Sequence, residues 1–253
     1  MASLQWARLL NDGQHQSFSI SGPGSPLSRQ LRKAKYHVED VPYRFYVSPK
    51  TSYRIRQFVI KNKIEAVFLQ SLKDLWLVSP ALWGLDVKLV GFAQMWLQNI
   101  SKKDLLHKLI YSRMNHLITL TPTQGDQYLS CIPYPKEKSV VMPNSIKGEK
   151  FSPDFRDDSL RKEFGAGPED ILIGLVGRLD EQKGQLELIN AFAQAKLEKP
   201  ELPLKLVFVG EATEGAGDLY TSRLKQAIDK HNLKNHIHFA GFRKDVPKVM
   251  SSL

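Results

Sequence analysis

The sequence predicts an α/β protein with two doubly wound, parallel-sheet domains in tandem. Short apolar segments typical of strands alternate with longer segments of helical period along nearly the whole chain. Strands separated by helices of this length need crossover connections, which produce parallel sheets. Residues 144–168, rich in proline, glycine and charge, interrupt this alternation and indicate a connection between domains. We therefore expect one domain over 1–146 and a second, incomplete one over 147–253.

The first domain is predicted to contain short strands between helices. Thr121 and Pro122 are typical of a helix start, because the hydroxyl caps the helix and proline suits its first turn. Helices are expected over 3–10, over a short basic segment that ends at 35, over 54–63, 75–83 and 102–115, and from 121. Strands are expected over 15–20, 66–69, 88–92, 116–120 and 140–142.

The second domain is predicted to repeat the same alternation. Strands are expected over 171–176, 204–209 and 237–239, and helices over 160–164, 185–196, 219–231 and from 245. The chain begins in what reads as a first helix, with no strand before it, and ends within a helix. We therefore expect a chain shortened at both ends, with the first strand missing.

Composition predicts a globular protein in a reducing compartment. The 253 residues are 42% hydrophobic and 25% charged, which allows real cores. The single cysteine, Cys131, cannot form an internal disulfide. No apolar stretch reaches the ~18 residues of a spanning helix, and no signal-peptide pattern occurs at the N-terminus. A cytoplasmic location is the expectation.

The charge balance favours acidic partners. Lysine and arginine number 36 against 26 acidic residues, a net charge of +10. Nucleic acid, phosphorylated ligands and an anionic membrane face all fit such an excess. The excess is also compatible with ordinary solvated surface, so composition alone does not choose among these partners.

The segment "GLVGRLDEQKG", residues 174–184, carries the strongest functional signal. It follows a predicted strand, and ligands of open α/β sheets bind beyond the carboxyl ends of strands. Arg178 offers a fork of donors for phosphate oxygens and Lys183 adds a point charge. Gly177 would let the chain turn out of the strand, and Gly184 would let a diphosphate approach the next helix closely.

A purely structural interpretation of this segment remains open. Both cations could be solvated, one of them paired with Asp180 or Glu181. Competing phosphate motifs are missing from the sequence: neither G-x-x-x-x-G-K-[ST] nor a G-x-G-x-x-G after a strand occurs. A P-loop nucleotidase and nicotinamide or flavin chemistry therefore have little support.

Several segments resemble family 4 (group 1) glycosyltransferases, which have two Rossmann-like domains in the GT-B fold. "GLVGRLDEQKGQLELINAFAQA" is similar to the family's G-R-L-x-x-x-K-G-x-x-x-L-I-x-A-F signature. "VVMPNSI", "LKLVFVGEA" and "HIHFAGFRKDV" resemble further family segments in the family's order, and "ARLLNDGQHQSFSISGPGSPL" resembles the region after its first strand. The resemblance covers essentially the whole chain.

The resemblance implies a role for each matching residue. The arginine and lysine that grip the donor diphosphate fall on Arg178 and Lys183, flanked by Gly177 and Gly184, and no metal or other cofactor is needed. With Gln94, these two cations are the expected catalytic residues. The nucleoside is expected on the later strand ends, at Gly210, Glu211, Gly241, Arg243 and Lys244, although Arg243 and Lys244 equally suit plain surface charge.

Glutamines stand where the family commonly has two histidines. Gln94 follows "KLVGFA" and Gln70 follows "EAVFL". An amide can hydrogen-bond a sugar hydroxyl but carries no titratable proton. A divergent subfamily and two merely structural loop residues both explain them. The acceptor is expected against Ser21, Gly22, Gln70 and Gln94.

Two family elements lie outside the chain. The paired glutamates would follow Leu253, and the first strand with its glycine-rich loop would precede residue 1. We therefore expect the chain alone to bind a donor rather than to turn over.

Two basic segments, "YRIRQFVIKNK" and "SKKDLLHKLIYSRMNHLI", allow two interpretations. They suit contact with an anionic membrane, and they equally suit amphipathic helices packed on a sheet, which we favour.

The resemblance thus implies a retaining glycosyltransferase of cell-surface polysaccharide or glycolipid synthesis. It would move a sugar from a nucleotide-diphosphate sugar to a hydroxyl of a glycan or lipid-linked acceptor, with peripheral contact to the inner membrane face and no nucleic acid partner. The alternatives are a non-catalytic fragment and a basic module that binds polyanions or membranes.

Overall fold

The computed structural model describes residues 2–13, 15–42, 47–97, 101–146, 148–212 and 217–253, and residues 2–5 and 217–218 by their backbone alone. The chain divides into two compact units, Met1–Ser145 and Ile146–Leu253. Every strand pair within these described ranges is parallel, which confirms the α/β class. Residue 147, at the expected domain boundary, lies outside the described residues, and the boundary itself stays a prediction.

The first unit contains two parallel sheets. One pairs β1 with β2, and the other has the order β3-β4-β5-β6. The strands are β1 Phe18–Ser21, β2 His37–Asp40, β3 Ala66–Leu69, β4 Lys88–Ala93, β5 His116–Thr119 and β6 Ser139–Val141. The helices are α1 Ala2–Asp12, α2 Pro26–Lys33, α3 Pro49–Lys61, α4 Leu75–Ala81, α5 Leu105–Ser112 and α6 Pro122–Cys131.

Three helices of this unit begin with the same hydroxyl–proline pair. The side chains of Ser25, Ser48 and Thr121 each accept a backbone N–H from the first turn of α2, α3 and α6, and proline follows each of them. A hydroxyl cap satisfies one of the donors that a helix start leaves open, and proline has no N–H to satisfy. The predicted start of α6 at Thr121 is confirmed.

Two expectations for the first unit are wrong. No strand was expected where β2 lies, because its sequence "HVED" has no apolar run; it forms by pairing with β1, Ser19 opposite Val38. Helix α3 begins at Pro49, five residues before the expected start. The helical period was read from the apolar residues alone, whereas the cap at Ser48 sets the boundary.

The second unit contains one parallel sheet of order β7-β8-β9 with helices on both faces. Its strands are β7 Ile171–Val176, β8 Leu204–Val209 and β9 Ile237–Gly241, and its helices are α7 Asp158–Glu163, α8 Gln185–Glu198, α9 Gly217–Lys230 and α10 Val246–Ser252. The bounds of β7 and β8 agree with the prediction residue for residue.

The central strand β8 divides the core of this unit into two layers. Side chains alternate across a strand, so Leu206 and Phe208 join the cluster of α8 and α9, while Val207 and Val209 join that of α7 and α10. All four are at most 2% exposed. A strand buried on both faces is typical of a parallel sheet between helix layers, and its loops therefore meet solvent only at its two ends.

Candidate functional site

The loops that follow β7, β8 and β9 lie along the carboxyl edge of the sheet in the second unit. The ladder continues past the strand ends: the N–H of Leu179 donates to the carbonyl of Glu211 at 3.1 Å, and that of Gly210 to Gly241 at 2.8 Å. An isolated parallel bridge joins Leu179 to Ala212. The predicted donor residues of these loops therefore share one carboxyl edge, the usual place of ligand binding in such sheets.

Gly210 is the position where this edge has no room for a side chain. Its φ is +142°, and a Cβ there would lie 2.0 Å from the carbonyl oxygen of Gly177. Gly177 itself has no positive φ, and a Cβ on it would meet only Leu175, at 3.9 Å. The steric requirement expected at Gly177 is thus found at Gly210, because the end of β8 approaches the backbone that leaves β7.

Arg178 projects from this edge with an exposed guanidinium. Its side chain is 63% exposed, and its Nη2 lies 3.6 Å from the carboxylate of Asp180. Exposed pairs of this kind contribute ~1 kcal/mol or less, so phosphate oxygens can compete with this carboxylate. The expected alternative partner, Glu181, pairs instead with Arg223.

Lys183 ends a short 3-10 turn, Glu181–Lys183, and is exposed. Among the residues that the structure describes, no carboxylate lies within 4.0 Å of its Nζ. The next residue, Gly184, has φ +77° and is the N-cap of α8 without any side chain to cap it. The N-terminus of α8 therefore follows directly on an exposed lysine.

Gln185 and Tyr220, which the sequence analysis missed, form a hydrogen-bonded pair that contacts the backbone of this turn. Gln185 is fully buried, and its Nε2 donates to the carbonyl of Arg178 at 2.7 Å. The hydroxyl of Tyr220 donates to Gln185 Oε1 at 3.2 Å. The only signal in the sequence was a glutamine at a helix start whose helix otherwise buries apolar residues.

On the expected nucleoside side, Glu211 and Gly241 lie together. The Glu211 carboxylate accepts the N–H of Phe242 at 3.4 Å, and the ring of Phe242 is 60% exposed. The edge thus offers a carboxylate and an apolar ring beside the last strand. Lys244 is exposed, and its predicted role stays a prediction.

Arg243 is held in an ion-pair network rather than left as surface charge. It contacts Asp245 at 2.7 Å and Glu163 at 2.6 Å, and its side chain is 20% exposed. The guanidinium also lies over the ring of Phe164, 5.9 Å from its centroid. Its hydrogen bonds to Asp245 hold the pKa of that carboxyl below its usual range. The structure therefore shows a tether to α7, while the predicted contact of Arg243 with a nucleoside stays a prediction.

The two predicted glutamines of the first unit contact each other. Gln70 follows β3 and Gln94 follows β4, and Gln94 Nε2 donates to Gln70 Oε1 at 2.6 Å. At the end of β1, Ser21 is buried with its hydroxyl 3.3 Å from that of Ser25. A Cβ on Gly22 would meet nothing within 4 Å. After this bond, Gln94 keeps one amide hydrogen and both carbonyl lone pairs for a ligand, and Gln70 keeps both amide hydrogens and one lone pair.

The described part of the chain contains neither a candidate metal site nor a candidate membrane span. No group of three or more His, Cys, Asp or Glu side chains there is arranged to hold a metal ion. None of the helices there is both long and apolar enough to cross a membrane.

Comparison with known proteins gives matches to glycosyltransferases. Residues 156–253 match the family described as glycosyl transferases group 1. An uncharacterized glycosyltransferase of Methanocaldococcus jannaschii is 28% identical over 147 residues, 58% of this chain and 34% of that protein. Mannosylfructose-phosphate synthase of Agrobacterium fabrum is 26% identical over 153 residues, 58% of this chain and 33% of that protein. The chain spans about a third of the length of these curated relatives.

Solved structures show the fold. A glycosyltransferase from Rickettsia africae has a TM-score of 0.83 at 18% identity, over 97% of this chain and 65% of that one. Anabaena HepE in complex with UDP has a TM-score of 0.76 at 20% identity, over 92% of this chain and 64% of that one. The chain therefore has an α/β fold of the GT-B glycosyltransferase type, and its residues 156–253 carry the match to glycosyl transferases group 1.

Proposed function

We propose that the protein is a retaining glycosyltransferase that uses a nucleotide-diphosphate sugar as donor. The observation that carries the proposal is Arg178, whose exposed guanidinium stands at the carboxyl edge of β7 inside the segment matching glycosyl transferases group 1. The acceptor would be a hydroxyl of a glycan or lipid-linked glycan in cell-surface polysaccharide or glycolipid synthesis.

The proposed chemistry depends on charge in the leaving group. When the bond from sugar to diphosphate breaks, negative charge accumulates on the diphosphate, and cations fixed beside it stabilise the transition state more than the ground state. We assign this task to Arg178 and Lys183, with backbone N–H groups at the start of α8 behind them. Each such donor commonly contributes about 3 kcal/mol to lowering the barrier, so the assignment needs no metal.

The nucleoside would lie along the ends of β8 and β9. Gly210 and Gly241 have no side chains, so a ligand can approach the backbone of these loops. The Glu211 carboxylate and the exposed Phe242 ring flank them. A structural neighbour was solved with UDP, which makes UDP the first probe for this chain.

The acceptor is assigned to the first unit. The Gln70–Gln94 pair, near the ends of β3 and β4, has the mixed donors and acceptors that sugar hydroxyls need. Ser21 ends β1, Gly22 follows it, and both belong to the same proposed acceptor side. Because an amide does not titrate, these residues orient the acceptor rather than remove its proton.

A second proposal is peripheral contact with an anionic membrane on the cytoplasmic side, and helix α5 favours it. Leu105, Leu106 and Leu109 share one helix face and are 82%, 54% and 47% exposed. Basic residues flank this face at Lys102, Lys103 and Lys108. Exposed leucines with lysines nearby in the chain suit anionic headgroups over acyl chains.

Isothermal titration calorimetry with UDP, GDP and ADP tests the donor assignment. We expect the chain to bind at least one of them, and expect Arg178→Ala and Lys183→Ala each to weaken that binding about tenfold or more, because each removes a charged contact. The matched control is Arg156→Ala, an exposed arginine of the same unit that pairs with Asp158 at 3.1 Å.

Two outcomes would contradict the proposal. One is unchanged affinity in Arg178→Ala. The other is a wild-type chain that ignores all three diphosphates and binds polyanions such as heparin with steep salt dependence, as a basic polyanion-binding module would.

A further inference from the structure

A buried chain of hydrogen bonds links helix α9 to the loop that carries Arg178. The N–H of Leu186 donates to the Tyr220 hydroxyl at 3.4 Å. That hydroxyl donates to Gln185 Oε1 at 3.2 Å, and Gln185 Nε2 donates to the Arg178 carbonyl at 2.7 Å. Tyr220 is 6% exposed and Gln185 is 0% exposed, so the bond between their side chains is buried, while the two bonds to the backbone are partly buried.

The direction of every hydrogen in this chain is determined. The carbonyl of Arg178 can only accept, so the NH₂ group of Gln185 must face it. The amide oxygen of Gln185 then faces Tyr220 and accepts its hydroxyl hydrogen. The N–H of Leu186 can only donate, and it reaches a lone pair of the same hydroxyl. All donors point the same way, an arrangement in which each bond strengthens the next.

Gly184 explains why the start of α8 needs a partner from α9. A helix start leaves its first N–H groups without partners inside the helix, and a hydroxyl or carboxylate side chain at the N-cap normally satisfies one. Here the N-cap is Gly184, which has no side chain. Tyr220 supplies the hydroxyl from another helix, and Gln185 passes the contact on to the Arg178 carbonyl.

We propose that Gln185 and Tyr220 are positioning residues for diphosphate binding. They fix the peptide group of Arg178 beside the N-terminus of α8, so that the guanidinium meets the same phosphates as the first-turn N–H groups other than that of Leu186. The inference rests on the proposed function, because it assigns these buried groups a role through Arg178 rather than direct contact with the ligand.

Loss of a buried hydrogen bond also lowers the free energy of unfolding. The test therefore needs a measurement that a loss of stability by itself would not change. If the pair acts through Arg178, its loss weakens binding only while Arg178 is present. A double-mutant cycle between Tyr220→Phe and Arg178→Ala measures that dependence directly. The affinity for uridine, which lacks phosphate, shows whether the nucleoside side is affected.

The experiment is calorimetry on the whole chain with UDP and uridine, far below the unfolding temperature. Tyr220→Phe is expected to weaken UDP binding about fivefold, the usual effect of one hydrogen bond, and to change uridine binding less than about twofold. In the Arg178→Ala background, at millimolar UDP, Tyr220→Phe should have almost no further effect. Gln185→Leu, which keeps the volume and removes both bonds, should reproduce this pattern.

The matched control is Tyr134→Phe. Tyr134 is also buried and donates from its hydroxyl to a backbone carbonyl, that of Met114 at 3.4 Å, but it lies in the first unit. It should leave UDP affinity unchanged. Equal fold-losses for Tyr220→Phe with and without Arg178 would overturn the inference and leave the diphosphate site intact. Failure of wild type to bind any diphosphate would overturn the proposed function and the inference with it.

Discussion

Gly210 illustrates at the scale of one residue how the site is assembled. Its φ of +142° and the nearby carbonyl of Gly177 leave no room for a Cβ, so this position requires glycine. The constraint keeps the loops after β7 and β8 in contact, and Arg178 lies in the first of these loops.

We expect Gly210→Ala to lower the free energy of unfolding by at least about 2 kcal/mol, because it combines backbone strain with a clash against main-chain atoms. Gly177→Ala is the matched variant at the other side of the same contact, and it should cost less than about 1 kcal/mol. Chemical denaturation followed by circular dichroism measures both. Similar losses in the two variants would show that the close approach does not stabilise the unit.

The residues of the candidate site differ in how far the sequence could predict them. Arg178 and Lys183 stand in a short motif, so their charge and spacing were enough to single them out, and their contact with a diphosphate stays a prediction. The pairing of Gln70 with Gln94 follows from their place after neighbouring parallel strands. Gln185 and Tyr220 are 35 positions apart, and nothing in either local pattern indicates the other. Only packing brings such partners together, which is why single-sequence reasoning missed them.

At the scale of elements, the sequence predicted the apolar strands well and the polar one poorly. Strands β3, β7 and β8 have the expected bounds because their runs are apolar. Strand β2 is stabilised by the ladder to β1 and by Asp40, which accepts a hydrogen bond from Ser28 and pairs with Arg32. Those contacts come from tertiary structure, so hydrophobic periodicity carries no signal for them.

The exposed face of α5 allows a prediction at this scale. The double variant Leu105→Gln/Leu109→Gln should lower partitioning onto vesicles of anionic lipid about tenfold or more, because two leucines would no longer enter the acyl region. Leu197→Gln, on α8, is the control, since Leu197 is 81% exposed on the other unit. Vesicle co-sedimentation at low and high salt gives the measurement. Equal partitioning of the double variant and wild type would remove α5 from the membrane proposal.

At the scale of the whole molecule, each unit has a core of its own. The described buried cluster of the first unit runs from Ile55 to Tyr134, and the clusters of the second lie between Leu160 and Val249. A chain segment with its own core meets the usual condition for folding alone.

We therefore expect residues 146–253 alone to fold cooperatively and to bind UDP within about threefold of the affinity of the whole chain. The reason is that every residue assigned to the donor belongs to this unit. Calorimetric unfolding and UDP titration of both halves are the measurements, with residues 1–145 as the control expected to bind no UDP. Loss of UDP binding in a folded second unit would show that the first unit supplies donor contacts.

Tyr220 has a further consequence, for spectroscopy. All four tryptophans and seven of the eight tyrosines precede residue 146, so Tyr220 is the one phenol or indole chromophore of residues 146–253. Burial raises the pKa of this phenol above its usual 10.0. Near-ultraviolet absorption of the isolated second unit above 285 nm would thus come from a single ring, one hydrogen bond away from Gln185. Ligand binding at Arg178 would then be reported by an intrinsic label that needs no engineering.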